Sequence, residues 1–179
     1  VTSALTDLQQ TFLNCTNFNG NLQNFDVSGV TTMNNTFRSC TNFIGNGLDS
    51  WSTTSALTNL QQTFQNCSNF NGNLQNFDVS GVTTINSTFT NCTNFVGNGL
   101  ENWTTTSALT TIRTAFRSAS NFNVNLSNWN VSGVTTMQDT FYDCTNFVGN
   151  GLDTWVTSAL TNLQTTFQNC TSLTTVNLS

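Results

Sequence analysis

The sequence predicts an α/β repeat solenoid of about seven turns, each turn carrying one short parallel strand and one short helix. Three observations carry this expectation. The stretch Phe12-Leu13-Asn14-Cys15-Thr16-Asn17-Phe18 returns, in the same order of apolar and polar residues, at Phe37, Phe64, Phe89, Phe116, Phe141 and Phe167. The step between copies alternates between about 25 and 27 residues, the length of one solenoid turn. Each copy also opens on a helix-start pattern and is followed by a regular Leu-x-x-apolar run.

The helix comes first in each turn. Thr6 with Gln9, Thr58 with Gln61, Thr135 with Gln138 and Thr161 with Gln164 have the spacing of a capping box. At Thr31, Thr83 and Thr110 the Thr persists while its partner becomes Asn34, Asn86 or Arg113. Leu5, Leu8, Phe12 and Cys15 share one helical face, as do Val82, Ile85, Phe89 and Cys92, so a helix is expected from Asp7 to about Asn14.

Turn signals follow, in Asn17-Phe18-Asn19-Gly20-Asn21 and Asn42-Phe43-Ile44-Gly45-Asn46-Gly47. The strand is expected next, in Leu22-x-x-Phe25-x-Val27 and its copies from Leu48, Leu74, Leu100, Leu126 and Leu152, with the apolar residues inward. This spacing resembles the strand signature of leucine-rich repeats. Parallel strands stack at about 4.8 Å and helices at about 8–10 Å, so the array is expected to curve with its helices outside. The two extra residues of alternate units are expected together between strand and helix, giving a two-turn repeat of about 52 residues.

The last unit, Phe167-x-x-Cys170-x-x-Leu173-x-x-Val176-x-Leu178, resembles the Treponema pallidum type of leucine-rich repeat found in BspA-like surface proteins. Phe25-Asp26-Val27-Ser28-Gly29-Val30-Thr31-Thr32-Met33 and Trp129 to Met137 are similar to the related repeat of Mycoplasma-type surface lipoproteins. The resemblance covers the whole chain. It implies a leucine-rich-repeat-like solenoid on cell-surface, secreted or viral proteins, associated with adhesion and without enzymatic activity.

Composition narrows the function. Charged residues make up 6% of the chain, Lys, His and Pro are absent, and Arg38, Arg113 and Arg117 are the only cationic side chains. No basic face can be assembled for nucleic acid or for an anionic membrane surface. No run of about 18 apolar residues is present to span a bilayer. Asn, Thr, Ser and Gln supply a neutral, hydrogen-bonding exterior, which suits an extracellular or surface-displayed protein of a cell or virion. Any signal peptide is expected to have been removed or to lie outside the sequence. Without His there is neither a Ser-His-Asp nor a Cys-His set, and no Gly-rich phosphate loop ends in Lys, so no enzyme is expected and no cofactor is implied.

Two ladders run along the array. Cys15, Cys40, Cys67, Cys92, Cys144 and Cys170 recur with Ala119 at the missing rung. The preferred reading is a buried ladder of small residues; the alternative pairs Cys15–Cys40, Cys67–Cys92 and Cys144–Cys170 as disulfides. Zinc is disfavoured, since Cys-x-x-Cys and His are absent. Asn17, Asn42, Asn69, Asn94, Asn121 and Asn146 form the second ladder, expected to be buried and to satisfy loop backbone groups, with a ligand comb as the alternative.

The candidate contact face lies at outward strand positions: Asn24, Asp26 and Ser28; Ser50 and Ser52; Asn76, Asp78 and Ser80; Asn102 and Thr104; Asn128 and Asn130. Its acidic series, Asp26 with Asp78 and Asp49 with Glu101 and Asp153, skips alternate turns, which separates like charges by about 10 Å. Calcium is conceivable there, but avoidance of repulsion explains the spacing. Ten Asn-x-Ser/Thr sequons, Asn102 and Asn130 among them, are about what the composition gives by chance.

Residues 1–179 read as one array of alternating 25- and 27-residue repeats without polar caps. It is expected to be a piece of a longer array or to stack end to end on copies of itself, and a contact of that kind that does not close gives a filament. The expected function is a structural or adhesive repeat whose partner is itself or a host-cell or glycan surface. The alternative is a glycan-, small-ligand- or ice-binding module using the Asn/Ser/Thr strand face.

Overall fold

The computed structural model describes residues 4–178. Each unit of 25 to 27 residues is one coil laid in register on the next, the steps from Phe12 running 25, 27, 25, 27, 25 and 26 residues. Parallel bridges join Asp7 to Thr32, Thr32 to Asn59, Asn59 to Thr84, and then Thr111, Thr136 and Asn162 in one row. Beside that row, the N–H of Thr31 donates to the Thr6 carbonyl, Thr58 to Thr31, Thr83 to Thr58, Thr110 to Thr83, Thr135 to Thr110 and Thr161 to Thr135.

The helix expected from Asp7 to about Asn14 is not formed, and among the described residues there is no α-helix. Residues 8–15 make a run of tight turns instead. Thr11 N–H closes on the Leu8 carbonyl, Leu13 on Gln10 and Cys15 on Phe12, at 3.0–3.2 Å. The intervening N–H groups of Leu8, Gln10, Phe12 and Asn14 leave the coil and reach the carbonyls of Thr32, Asn34, Thr36 and Arg38 at 2.8–3.1 Å. The alternation needs left-handed backbone at Gln10 and Asn14, with φ of 59° and 62°, and at matching pairs such as Asn35 with Ser39 and Asp139 with Asp143. That region is unfavourable for L-residues but tolerated best by Asn and Asp among those with side chains.

The physical reason is that a helix closes its donors internally and keeps its neighbour about 8–10 Å away. Here the inner phenylalanines repeat every 5.2–5.6 Å, and the turn run sends half its donors to the next coil. The helical period in the sequence has a different cause: Met33, Thr36, Phe37 and Cys40 all point inward from the turns and are fully buried. The cap is shifted by one residue. Asp7, Thr32, Asn59, Thr84, Thr111, Thr136 and Asn162 each accept the N–H two residues on, at 2.7–3.4 Å. Such Asx and Ser/Thr turns accept Asp, Asn or Thr alike, which explains that mixture.

The strand expected at Leu22 to Val27 is also not formed. Phe25 N–H closes a turn on the Leu22 carbonyl at 3.0 Å, and alternate coils form 3-10 helices at Leu48–Ser50, Leu100–Asn102 and Leu152–Thr154. A three-residue closure brings Leu and the following Phe or Trp to the same inner side. The extended contacts lie instead at Asp7 and Thr32, where the helix was expected to start.

The two extra residues of alternate coils are separated, not adjacent. One lies in Phe43 to Leu48, which is a residue longer than Phe18 to Leu22; the other lies in Trp51 to Leu57, against Phe25 to Val30. Gly47 starts the 3-10 helix with φ of 83°, and a Cβ there would stand 2.4 Å from the Gln23 nitrogen of the coil before.

The core is three aromatic columns. Phe12, Phe37, Phe64, Phe89, Phe116, Phe141 and Phe167 stack within 11° of parallel. Phe18, Phe43, Phe70, Phe95, Phe122 and Phe147 stand beside them, with Phe37 and Phe43 4.6 Å apart. Phe25, Trp51, Phe77, Trp103, Trp129 and Trp155 form the third. The indoles of Trp51, Trp103, Trp129 and Trp155 donate at 3.0–3.1 Å to Leu22, Leu74, Leu100 and Leu126, so a buried polar tip also joins coils.

Candidate contact faces

Turns at each Leu-x-x-aromatic segment present the residues of the candidate face. Asn24, Ser28, Ser50, Ser52, Asn76, Asn102, Thr104, Asn128 and Asn130 are exposed; Asp26, Asp78 and Ser80 are half-buried. Much of its polarity is already engaged. Asp26 accepts both the hydroxyl and N–H of Ser28, and these bonds, the hydroxyl's first, lower its pKa. Asp78 and Asn130 accept the N–H of Ser80 and Ser132. Asn76 and Asn128 donate to the Asp49 and Glu101 carbonyls at 2.7 Å, and the Ser50 hydroxyl donates to Gln23 and Gly47. A groove of about 370 Å³ lies over Asn128, Asn130 and Ser132 and continues to Thr154 and Val156 of the next coil.

The six cysteines are free thiols, and all but Cys15 are buried. Each buried thiol donates to a phenylalanine carbonyl of the coil before: Cys40 to Phe12, Cys67 to Phe37, Cys92 to Phe64, Cys144 to Phe116 and Cys170 to Phe141, at 2.9–3.0 Å. Burial pushes Cys40 and Cys170 up to about 11 and raises Cys67, Cys92 and Cys144 further. These groups resist ionisation and are poor nucleophiles.

The asparagine ladder lies outside, not in the core as expected. Asn17, Asn42, Asn69, Asn94, Asn121 and Asn146 are all exposed. Their amides bond in pairs, Asn42 to Asn17, Asn94 to Asn69 and Asn146 to Asn121, at 3.1–3.4 Å. Loop satisfaction falls to Asn19, Asn71 and Asn123, whose side-chain oxygens each accept an N–H, from Ile44, Val96 and Val148, at 3.2 Å.

Two features were missed from the sequence, buried threonines and exposed apolar side chains, and a third, a threonine column, was read only as helix caps. Thr36, Thr63, Thr88, Thr140 and Thr166 are buried, each donating to a carbonyl of the preceding coil. Thr6, Thr31, Thr58, Thr83, Thr110, Thr135 and Thr161 form an exposed column with a Thr in every coil. Ile44, Val96 and Val148 stand 45%, 39% and 37% exposed on alternate coils. The signal for the last was the residue after each second Phe, which alternates Asn, Ile, Asn, Val, Asn, Val.

Among the described residues charged groups form one local cluster, where Arg117 lies 3.4 Å from Asp139 and over the Tyr142 ring, and the Thr165 hydroxyl donates to Asp139. Among the described residues no three His, Cys, Asp or Glu side chains gather to hold a metal ion, and no helix is long and apolar enough to cross a membrane.

Coils joined by such repeated bonds, with polar columns outside, define a repeat protein. The chain belongs to the family described as Mycoplasma protein of unknown function, DUF285, whose model matches residues 1–103 and again 86–178. The overlap of the two matches follows from the internal repetition. Comparison with curated proteins and with solved structures finds no match.

Proposed function

We propose that this chain is a leucine-rich-repeat-like solenoid of the BspA type, displayed outside the cell or on a surface, which serves without enzymatic activity as a structural or adhesive array. The observation that carries the reading is the coil-to-coil bonding. Every coil offers one row of N–H groups to the next and receives the matching row as carbonyls, as Leu8, Gln10, Phe12 and Asn14 do toward Thr32, Asn34, Thr36 and Arg38. Such bonding adds units without limit, within one chain or head to tail between copies. The sparsely charged exterior supports contact with uncharged partners.

Surface display is tested by antibody labelling of intact source cells or particles before and after protease shaving. Labelling that appears only after permeabilisation overturns it. Electron microscopy of the native material tests head-to-tail growth: filaments support it, and discrete short particles at high concentration remove it.

A second reading, ice binding, is favoured by the exposed threonine column. The hydroxyls of Thr31, Thr58, Thr83, Thr110 and Thr161 donate inward to the preceding coil at 3.0–3.2 Å, so methyl groups and acceptor lone pairs remain for ordered water. Thermal hysteresis at millimolar protein supports it, and none at that concentration ends it.

A further inference from the structure

The face that carries the asparagine ladder has a period of two coils, not one. The loop length imposes it, and three observations register it independently. In the column after the second Phe, Asn19, Asn71 and Asn123 turn back to receive the N–H of Ile44, Val96 and Val148, so the prominent side chains left in that column are the apolar ones. In the neighbouring column the amide bonds join Asn42 to Asn17, Asn94 to Asn69 and Asn146 to Asn121. Among the described residues none joins Asn69 to Asn42 or Asn121 to Asn94. Beneath both columns the rings step unevenly, 5.4 Å from Phe18 to Phe43, 6.1 Å to Phe70, 5.3 Å to Phe95, 6.4 Å to Phe122 and 5.6 Å to Phe147.

Each pair of coils therefore presents one branched apolar side chain beside a primary amide with hydrogen-bonding capacity to spare. An amide has two donors and two acceptor sites, so a bonded Asn pair uses one donor and one acceptor site and keeps about six of its eight. Two coils span about 10 Å at parallel-strand spacing, and two successive ring steps beneath the face total about 11–12 Å. No charged residue stands in either column.

A partner that fits is linear, uncharged and extended, with an amide and a methyl group recurring on one edge at that interval. In a β-1,4-linked chain successive sugars are turned over, so substituents at one ring position return to the same edge every second sugar, at a repeat of this length. Where that substituent is an acetamido group, it supplies both a methyl for Ile44, Val96 or Val148 and an amide for Asn42, Asn94 or Asn146. We propose that this face binds an extended β-1,4-linked glycan bearing acetamido groups, laid along the stack of coils and across their backbones. This rests on the adhesive reading and gives it a partner.

The test uses the purified chain with insoluble chitin, with cellulose as the same backbone lacking acetamido groups, and with soluble N-acetylchitohexaose by calorimetry. Retention on chitin with at least tenfold weaker retention on cellulose is expected. The variant I44N/V96N/V148N places at those sites the residue that the other coils carry there, and should weaken hexaose binding at least tenfold with an unchanged melting curve. If it fails to fold, N42A/N94A/N146A, altered only at exposed amides, should show the same loss. No retention on chitin, equal retention on cellulose, or unchanged binding by the folded variant overturns the proposal. Surface labelling of the native material decides the adhesive reading separately, since display does not depend on which glycan is bound.

Discussion

The thiol of Cys67 donates to the carbonyl of Phe37, thirty residues earlier, at 2.9 Å. The same bond recurs at five rungs and joins five pairs of coils through groups that are neutral only while protonated.

Alkaline pH should therefore destabilise the fold. Burial raises these thiols from the ordinary 9.0, Cys40 and Cys170 to about 11. Between those values the unfolded chain loses protons that the folded chain keeps, so stability falls as pH rises. The contribution of the thiols should be constant below about pH 8 and decline from pH 9 upward as the unfolded thiols ionise, with the loss through Cys40 and Cys170 complete near 11. Urea denaturation at pH 7.5, 9 and 10 measures this, and Cys92→Ala should reduce the slope. A slope unchanged by that substitution would assign the effect to other groups.

Thiol titration gives an independent check. In the native state without reductant only Cys15, the exposed rung, should react quickly, and all six should react after denaturation. Fewer than six would mean that disulfides form.

The single hydroxyl proton of Thr63 is shared between the carbonyls of Met33 and Leu60, at 2.9 and 2.7 Å, in a fully buried site. Thr63→Val keeps the shape and removes both bonds, and should cost about 1–3 kcal/mol. A lower urea midpoint with an unchanged slope is the expected result, because the change is local. Ala115 occupies the corresponding place in its own coil, so the array should still form.

Phe89 touches rings on three sides: Phe64 at 5.6 Å, Phe116 at 5.5 Å and Phe95 at 4.5 Å. Phe89→Ala should cost about 3–5 kcal/mol. In a stack where each unit meets only its neighbours, this weakens the link between two halves that keep their own contacts. Two unfolding steps should replace one, seen as non-coincident tryptophan fluorescence and circular dichroism transitions. A single steeper transition would refute this picture of the stack.

Gly99 has φ of 88°, and a Cβ there would lie 2.3 Å from the Gln75 nitrogen of the preceding coil. Gly99→Ala should therefore destabilise by about 1–2 kcal/mol from the backbone conformation alone, and more from the contact. Gly20→Ala meets only the Phe18 ring, at 3.0 Å, and should cost less. Thermal melting of the two variants ranks them.

The inward columns were legible because apolar side chains must leave water wherever the backbone places them. Phe37, Phe43, Leu48 and Trp51 recur at fixed offsets and all lie at zero exposure. The absence of a basic face was equally legible, since three arginines cannot make one. The residues of the candidate face are mostly outside, as their strand positions suggested, yet Asp26, Asn76 and Asn128 are engaged with their own chain.

Sequence alone determined which residues repeat, which apolar side chains face inward, and that the exterior is sparsely charged, because these follow from composition and spacing. Tertiary structure decided where each backbone donor goes. Leu8 and Thr11 sit three residues apart in either a helix or a turn run, and only the presence of Thr32 on the neighbouring coil sends the Leu8 N–H outward. Tertiary structure also decided what each asparagine bonds: Asn17 and Asn19 are two residues apart, but Asn17 meets the Asn42 amide and only Asn19 lies where the Ile44 N–H needs an acceptor.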